Sequence, residues 1–330
     1  MQKIILNFCR FKNNPHIWIN LKSGIAKMQK ISIIICTYNR DKYIYNVLKS
    51  IAENDFPAEK FEILLINNNS TDDTERECNR FRTDFPLPDY RYFIEKEQGL
   101  SYARNRGIKE STGDILIYVD DDATVNKEYL QTYYSFFDQH PAAMAAGGPI
   151  IPKYETQEPK WMSHFTRPLI TGSLYKGNCI SEFKGERYPG GGNAAYRKSV
   201  FEKTGLFNVD LGRKGNNLMG AEEKDIFDKM RSLGMKYYYL PDAILYHIIP
   251  GTKLTKEYFD FLTYSIGKSE RMRTKAISQW KYVKRIISEG IKWVVSIFLC
   301  IGYTLMLMPR KGWKLILFRR NVTKGLLKNI

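Results

Sequence analysis

Three short apolar runs, rich in β-branched residues, alternate with helix-like stretches in the first half of the chain. The runs are residues 31–37 (ISIIICT), 61–67 (FEILLIN) and 114–120 (DILIYVD), and helical segments begin near Asp41 and Ser101. Such runs predict strands buried on both faces, and strands that alternate with helices are typical of a parallel sheet. The sequence therefore predicts a Rossmann-like α/β fold, with a mostly parallel central sheet flanked by helices.

Regular patterning is interrupted after residue 150 and returns only near residue 221. The intervening stretch is rich in Gly, Pro and aromatic residues up to Asn193, as is usual for loops that shape a binding cleft. A helix is predicted from about 221 to 233, and a strand near 237–247. The first 150 residues are interpreted as a nucleotide-binding half.

The basic residues are concentrated at the two ends of the chain. The net charge is +16, yet residues 1–30 hold six basic residues and no acidic one, and residues 268–330 contribute +13, which leaves −3 for the body. A nucleic-acid enzyme usually has its basic surface on the folded body, so no nucleic-acid partner is predicted. Basic terminal segments around a nearly neutral body instead predict attachment to an anionic membrane surface.

An apolar stretch near the C-terminus supports that interpretation. Residues 293–308 (WVVSIFLCIGYTLMLM) contain no charged residue, whereas about 20 apolar residues are needed to cross a bilayer. Because basic residues flank the stretch on both sides, they give no orientation signal. We expect segment 286–308 to lie in the plane of the membrane or to form a re-entrant anchor, with a buried core helix as the alternative.

Three consecutive carboxylates, Asp120, Asp121 and Asp122, come at the end of the third predicted strand. The carboxyl edge of a parallel sheet is where open α/β folds bind ligands. Neighbouring carboxylates repel one another, and a bound Mg²⁺ or Mn²⁺ that bridges a diphosphate offsets that cost. The triplet therefore predicts a divalent-cation site, with a solvated acidic turn as the alternative.

Six blocks of sequence between residues 31 and 247 occur in a fixed order. They are ISIIICTYNR (31–40), LLINNNSTDDT (64–74), QGLSYARNRG (98–107), GDILIYVDDD (113–122), PGGGNAAYR (189–197) and the pair GAEEKDIFDKMRSLG (220–234) and YYYLPDAILYH (237–247). Together they resemble the family 2 glycosyltransferases with the GT-A fold, of the bacterial surface-polysaccharide type. A dinucleotide-dependent oxidoreductase would need a GxGxxG turn after the first strand, and the chain has CTYN there.

The resemblance implies that a nucleoside diphosphate sugar binds over the ends of the predicted strands. It implies contacts from Thr37, Tyr38 and Arg40 after the first strand, and from Asn67 after the second. The family usually has an aspartate that contacts the base at this last position; an amide retains hydrogen bonding but leaves the base open, with a UDP-sugar favoured. A turn or capping role is the alternative for each residue taken singly. The other implied nucleotide-sugar contacts are Asn69, Arg104, Asp120 and Asp121.

The resemblance also implies a cofactor, Mn²⁺ or Mg²⁺. Its implied ligands are Asp120, Asp122 and His247. The histidine ends the last predicted strand, where several family members supply a histidine to the metal or the diphosphate. A structural histidine is the alternative.

Glu222 and Glu223 begin the helix predicted near residue 221. The resemblance aligns Glu223 with the acid that deprotonates the acceptor hydroxyl, and Glu222 is the alternative base. Acidic residues in a first helical turn are favoured by the helix dipole in any case, so a structural role is the alternative for either. Trp161 and Asn193 are predicted to contact the acceptor, because aromatic faces stack on sugar rings and amides bond hydroxyls.

These expectations combine into one functional prediction. The chain is expected to be a metal-dependent, inverting glycosyltransferase acting on a lipid-linked or surface-glycan acceptor, peripheral or monotopic at the cytoplasmic face of the inner (plasma) membrane. A non-catalytic nucleotide-sugar or glycan-binding protein of the same fold is the alternative. The predicted regions are a basic extension (1–30), a nucleotide-sugar-binding half (31–150), an acceptor-binding and catalytic half (151–250) and a helical basic tail (251–330) that contains segment 286–308.

Overall fold

An eight-stranded sheet between two apolar layers forms the centre of the molecule. The computed structural model describes residues 30–215 and 217–328, so the predicted N-terminal extension lies, apart from Lys30, outside the described residues. The strands are β1 (Ile31–Thr37), β2 (Phe61–Asn67), β3 (Tyr90–Ile94), β4 (Ile115–Val119), β5 (Ala123–Val125), β6 (Ala143–Gly147), β7 (Ile150–Tyr154), β8 (Ser181–Glu182), β9 (Asn193–Arg197), β10 (Lys236–Tyr239) and β11 (Leu245–Ile249). The helices are α1 (Asp41–Ala52), α2 (Thr74–Asp84), α3 (Leu100–Glu110), α4 (Tyr129–Gln139), α5 (Arg167–Thr171), α6 (Ser199–Thr204), α7 (Glu222–Ser232), α8 (Lys256–Ile277), α9 (Gln279–Leu305) and α10 (Pro309–Leu327), with 3₁₀ turns at Ala58–Lys60 and Gly251–Leu254.

The strand order in the large sheet is β3-β2-β1-β4-β9-β6-β10-β8. The first four strands run parallel, as do β6 and β10, whereas β9 is antiparallel to both neighbours and β8 is antiparallel to β10. The predicted α/β class with a mostly parallel sheet is confirmed, because β3, β2, β1, β4, β6 and β10 share one direction; only β8 and β9 run against them and make the sheet mixed. The antiparallel strands come from the irregular stretch after residue 150, because antiparallel neighbours do not need the helical crossovers that the sequence pattern reveals.

Strands β1, β2 and β4 are almost wholly buried, which explains their unbroken apolar sequences. Ile33 belongs to the layer that contains Val47 and Leu48 of α1, and Ile34 belongs to the layer that contains Ile108 of α3. Successive side chains of a strand point to opposite faces, so each strand supplies both layers. The polar residues that follow these strands are thereby held at one rigid edge.

The prediction of a single strand near 237–247 is wrong. It is divided around Pro241 into β10, in the large sheet, and β11, which joins β5 and β7 in a separate three-stranded sheet. Proline has no N–H to donate to a ladder, which favours a break at this point. In the small sheet His247 lies opposite Ala123. This antiparallel pairing brings the histidine next to the aspartate triplet.

Helices α8, α9 and α10 form a C-terminal helical layer that shares a core with the body of the protein. Phe259 of α8 and Phe318 of α10 are buried in one cluster with Met162. The two helices approach so closely that a side chain at Gly267 would clash with the backbone carbonyl of Val322. The layer is therefore packed onto the catalytic half through common apolar contacts.

Helix α9 has the reverse of the usual distribution of polar and apolar residues. Its buried residues are Glu289 and Ser296, and Glu289 pairs with Arg285 at 2.8 Å and with Arg319 of α10 at 3.0 Å. Among the described residues it is the one helix that is long and apolar enough to cross a membrane, and 11% of its most apolar window is buried. The exposed apolar side chains of α9 and of the turn that follows it, here called the apolar face, are Trp280, Val283, Ile287, Ile291, Val294, Val295, Ile297, Phe298, Ile301, Leu305, Met306, Leu307 and Met308.

Candidate active site

A cavity of about 460 Å³ lies at the carboxyl edge of β1 and β4. The loops after these strands, the start of α3, the start of α7 and the end of β11 all contribute to its walls. This is the edge at which open α/β sheets bind ligands. Ten of the predicted site residues line the cavity: Thr37, Tyr38, Arg40, Arg104, Asp120, Asp121, Asp122, Glu222, Glu223 and His247.

Asn193 does not face the cavity, contrary to the prediction that it contacts an acceptor. Its side chain is fully buried, and its amide oxygen accepts hydrogen bonds from the hydroxyls of Tyr129 and Tyr133, both at 2.7 Å. Its amide nitrogen donates to the carbonyl oxygens of Pro149 and Ala243, both at 3.0 Å. Every hydrogen-bonding position is therefore used to join β9 to its surroundings.

Trp161 is also placed away from the cavity. Its ring packs edge-on against Phe259 of α8 with 5.2 Å between centroids, and the ammonium of Lys314 lies 5.1 Å from its centroid. The residue therefore helps to attach the C-terminal helical layer. The acceptor role predicted for it has no support in this placement.

The asparagines after β2 organise loops. Asn67 is buried, donates to the Tyr92 hydroxyl at 2.7 Å, accepts from the Ser70 N–H at 2.8 Å and is not among the residues that line the cavity. Asn69 is exposed in a left-handed turn with φ of 61°, a conformation that Asn tolerates. The neighbouring Asn68, which the sequence prediction did not include, lines the cavity instead.

Each of two carboxylates in the aspartate triplet faces a basic side chain. Asp121 Oδ1 lies 3.3 Å from Arg40 Nε, and Asp122 contacts Lys253 Nζ at 2.7 Å and His247 Nε2 at 3.2 Å. Burial raises the pKa of Asp121 to about 6, against the charge of Arg40. Burial also disfavours the charged form of Asp122, but the ammonium of Lys253 opposes this effect, and the pKa of that carboxyl lies below its usual range.

A buried arginine joins the two glutamates at the start of α7. Arg104 Nη1 lies 2.6 Å from Glu222 Oε1, and its Nη2 lies 2.6 Å from Glu223 Oε1. Glu222 is almost fully buried, whereas the side chain of Glu223 is 20% exposed toward the cavity. Burial, and then the charge of Glu223, raises the pKa of Glu222 to about 7. The two acids therefore differ in access although they are adjacent in sequence.

The glycines of the PGGGN block explain how the acids fit at the sheet edge. A side chain at Gly191 would clash with the Glu223 carboxylate, and one at Gly192 would clash with the carboxylate of Asp120. These glycines are required because the backbone passes directly over two acidic side chains. The block therefore leaves room for two carboxylates that line the cavity.

Lys253 is the most informative cavity residue that the sequence prediction missed. It lies in the 3₁₀ turn after β11, and its ammonium contacts both Asp122 and His247. No recognised motif includes this lysine, so only its distance of six residues from the histidine could have suggested it. Arg213 is a second basic residue of the lining that was missed.

The side chains around Asp122 are of the types that ligate a divalent cation, although the protein alone supplies few such ligands. Among the described residues, no three His, Cys, Asp or Glu side chains converge as a metal site. Asp122 and His247 do converge, and Mg²⁺ and similar ions commonly use one or two carboxylates together with substrate phosphates. The residues present therefore fit a cation that is completed by a diphosphate, provided that Lys253 moves aside.

Sequence comparisons agree with this geometry. Residues 32–205 match the family described as glycosyl transferase family 2. The glucosyl-dolichyl phosphate glucuronosyltransferase of Haloferax volcanii is 24% identical over 253 residues, which cover 74% of this chain and 77% of that protein. The poly(ribitol-phosphate) β-N-acetylglucosaminyltransferase TarS of Staphylococcus aureus is 34% identical over 113 residues, only 34% of this chain and 20% of that protein.

Solved structures with low sequence identity share the fold. The mannosyltransferase PcManGT from Pyrobaculum calidifontis, in complex with GDP-Man and Mn²⁺, has a TM-score of 0.61 at 18% identity, over 92% of this chain and 88% of that one. GalNAc-T7 with UDP, GalNAc and Mn²⁺ has a TM-score of 0.51 at 16% identity, over 75% and 51% of the two chains. The ordered motifs, the cavity at the sheet edge and the family match together show that this chain belongs to glycosyl transferase family 2 and has the GT-A fold.

Proposed function

We propose that this enzyme is a metal-dependent, inverting transferase that moves a sugar from a nucleoside diphosphate to a hydroxyl of a lipid-linked or surface-glycan acceptor. One observation carries the proposal. The aspartate triplet, directly after β4, and Glu223, at the start of α7, line the same 460 Å³ cavity. A site that holds a diphosphate at one wall and a carboxylate base at another has the two groups that direct displacement requires.

The donor wall is formed by the residues after β1 and β4. Thr37, Tyr38 and Arg40 lie where a base and a phosphate would bind, and the guanidinium of Arg40 is already oriented by Asp121. Asp122 and His247 would hold Mn²⁺ or Mg²⁺ together with the phosphates. The bound cation would neutralise charge that develops on the leaving diphosphate. Relatives of similar fold solved with UDP, GDP-Man and Mn²⁺ support this choice of donor and cofactor.

Glu223 is the proposed general base. Arg104 holds its Oε1, which leaves Oε2 to accept the proton of the acceptor hydroxyl while the hydroxyl oxygen attacks the anomeric carbon. Attack opposite the leaving diphosphate inverts the configuration through an oxocarbenium-like state. Glu222 is less suited, because burial keeps it away from an acceptor and its Oε1 is used to position Arg104.

The apolar face of α9 supports a monotopic attachment to a membrane. In a soluble protein an amphipathic helix turns its apolar side to the core, whereas α9 buries Glu289 and exposes Ile291, Val294 and Phe298. The ion pairs of Glu289 hold the polar side against the protein, so α9 is better placed to lie in the interface than to cross it. The basic ends of this region favour an anionic leaflet such as the cytoplasmic face.

The test uses full-length protein in mild detergent with a panel of nucleotide sugars. Release of nucleoside diphosphate should require Mn²⁺ or Mg²⁺, and the anomeric configuration of the product, read by NMR, should be inverted. Asp122→Asn should abolish release and weaken metal-dependent donor binding in calorimetry. Asp138→Asn, at an exposed position on α4, is the matched control.

Three outcomes would each remove part of the proposal. Transfer at full rate in the presence of a chelator would show that no metal ion is required. A product with retained anomeric configuration would contradict the direct-displacement mechanism. Parent-like binding of nucleotide and Mn²⁺ by a folded Asp122→Asn variant would remove the assigned ligand.

A further inference from the structure

The orientation of His247 creates an acceptor that points at Asp122. Its Nδ1 lies 2.7 Å from the carbonyl oxygen of Thr171, which can only accept, so Nδ1 bears the proton. In the neutral ring Nε2 then presents a lone pair, and it lies 3.2 Å from Asp122 Oδ1. Two acceptors at this separation are stable only with a positive charge beside them.

The positive charge at this place is the ammonium of Lys253. Its Nζ lies 2.7 Å from Asp122 Oδ2 and 3.4 Å from His247 Nε2, so it donates to both groups. All three side chains are largely buried within the cavity wall. The lysine backbone is held in a 3₁₀ turn, in which its N–H donates to Pro250 and the next residue, Leu254, is buried in the core of the C-terminal layer.

We propose that Lys253 is a resident counter-cation of the metal site: it occupies the position between Asp122 and His247 in the metal-free enzyme and competes with the divalent cation for these two ligands. This inference rests on the metal dependence proposed above. Its consequence is a low affinity for metal alone, because a metal ion must displace an ion pair before it gains both ligands. The phosphates of the donor supply further ligands to the metal ion and so raise its affinity. Metal binding is thereby coupled to donor binding.

The test measures Mn²⁺ binding to the full-length protein by calorimetry and by the EPR signal of free Mn²⁺, without nucleotide and with UDP. Lys253→Gln removes the competing charge and should tighten binding of Mn²⁺ alone by about tenfold or more. The matched control is Lys256→Gln, an exposed lysine three residues away, which should bind Mn²⁺ as the parent does. Thermal unfolding verifies that each variant is folded.

A second measurement uses the unmodified protein, so it does not depend on a variant that folds. An amine-acylating reagent followed by peptide mass spectrometry reports the accessibility of each lysine. Saturating Mn²⁺ alone should increase the labelling of Lys253 severalfold, because displacement frees its ammonium, and should leave Lys256 unchanged. Labelling of Lys253 that is insensitive to Mn²⁺ would overturn the inference.

The outcomes separate the inference from the function on which it rests. If the parent binds Mn²⁺ with UDP but Lys253→Gln binds metal alone no more tightly than the parent does, Lys253 is not a competitor and the proposed metal dependence stands. If neither protein binds Mn²⁺ with or without UDP, the metal dependence is wrong and the inference falls with it. Tighter binding by the variant supports both.

Discussion

The cavity and the C-terminal helical layer both bury charged side chains, but the surroundings of these side chains differ between the two regions. In the layer the acids are surrounded by basic residues from several helices: Glu289 contacts Arg285 and Arg319, and Glu270 contacts Lys224, Arg273 and Arg285. In the cavity Asp121, Asp122 and the two glutamates of α7 face basic side chains that also line the cavity. The first set therefore holds helices together, and we propose that the second exchanges its partners for a substrate.

Contacts between helices α7 and α8 join the two regions. Lys224, in the first turn of the helix that begins with Glu222 and Glu223, donates to Glu270 of α8 at 3.0 Å. The helix that carries Glu223 is therefore attached to the same layer that exposes the apolar face. We expect mutations in the cavity to affect catalysis, and mutations in the helical layer to affect stability or attachment to a membrane.

The largest expected effect is on turnover. Glu223→Gln should keep donor affinity and lose about 10² to 10⁴ in transfer rate, because the amide can still accept from Arg104 but cannot take the proton. Glu222→Gln should be milder. Single-turnover transfer assays measure the ranking, and the reverse order would assign the base to Glu222.

The next effect tests whether charges in the helical layer are structural. Glu289→Ala leaves Arg285 and Arg319 without their shared partner and should lower the free energy of unfolding by about 3 to 5 kcal/mol. The control is Glu53→Ala, which removes an exposed pair with Lys49 of the same i,i+4 spacing and should cost below about 1 kcal/mol. Chemical denaturation in detergent measures both, and equal costs would contradict the structural role.

The third effect concerns attachment to lipid. Ile291→Glu combined with Phe298→Glu should weaken partition onto anionic vesicles by about 100-fold, since each side chain loses on the order of 1.5 kcal/mol or more of apolar burial. Metal-dependent donor hydrolysis should not change. Ile94→Glu, at an exposed position on β3, controls for added charge and should float with vesicles as the parent does. Unchanged flotation of the double variant would exclude the apolar face as the membrane contact.

The smallest effect is a pH dependence of stability. Burial raises the pKa of Glu222 from its usual 4.5 to about 7, so the folded state binds a proton more tightly than the unfolded state does. The contribution of this group is therefore fully present below pH 4.5 and is lost as the pH rises to about 7. Over this range the free energy of unfolding of the parent should fall by on the order of 1 to 3 kcal/mol because of Glu222, and Glu222→Gln should abolish this fall. Denaturation of parent and variant at several pH values checks this, and parallel curves would show that Glu222 does not titrate there.

Local patterns predicted the central strands well. The runs 31–37 and 61–67 coincide with β1 and β2, and the helix predicted near 221–233 corresponds to α7. Burial on both faces demands an unbroken apolar sequence, so such strands are visible without knowledge of their neighbours. The strand near 237–247 failed, because the sequence does not reveal that its two halves join different sheets.

Side-chain roles were less predictable than positions in the fold. Asn193 and Trp161 have the chemistry of sugar contacts, yet the structure uses one to join strands and the other to attach helix α8. Lys253 was not predicted at all, although its ammonium is the basic group nearest to the Asp122 carboxylate. Polar side chains satisfy whichever groups the fold brings near, and that depends on contacts distant in sequence.

By itself the sequence determined the strand-and-helix order, the sheet edge at which the aspartates lie, and the apolar composition of α9, because each depends on local periodicity and composition. Only the tertiary structure decided which glutamate is accessible, which way α9 faces, and that Lys253 lies between Asp122 and His247. The physical reason is that these properties depend on pairs of groups up to 131 residues apart, whose distances the folded chain sets.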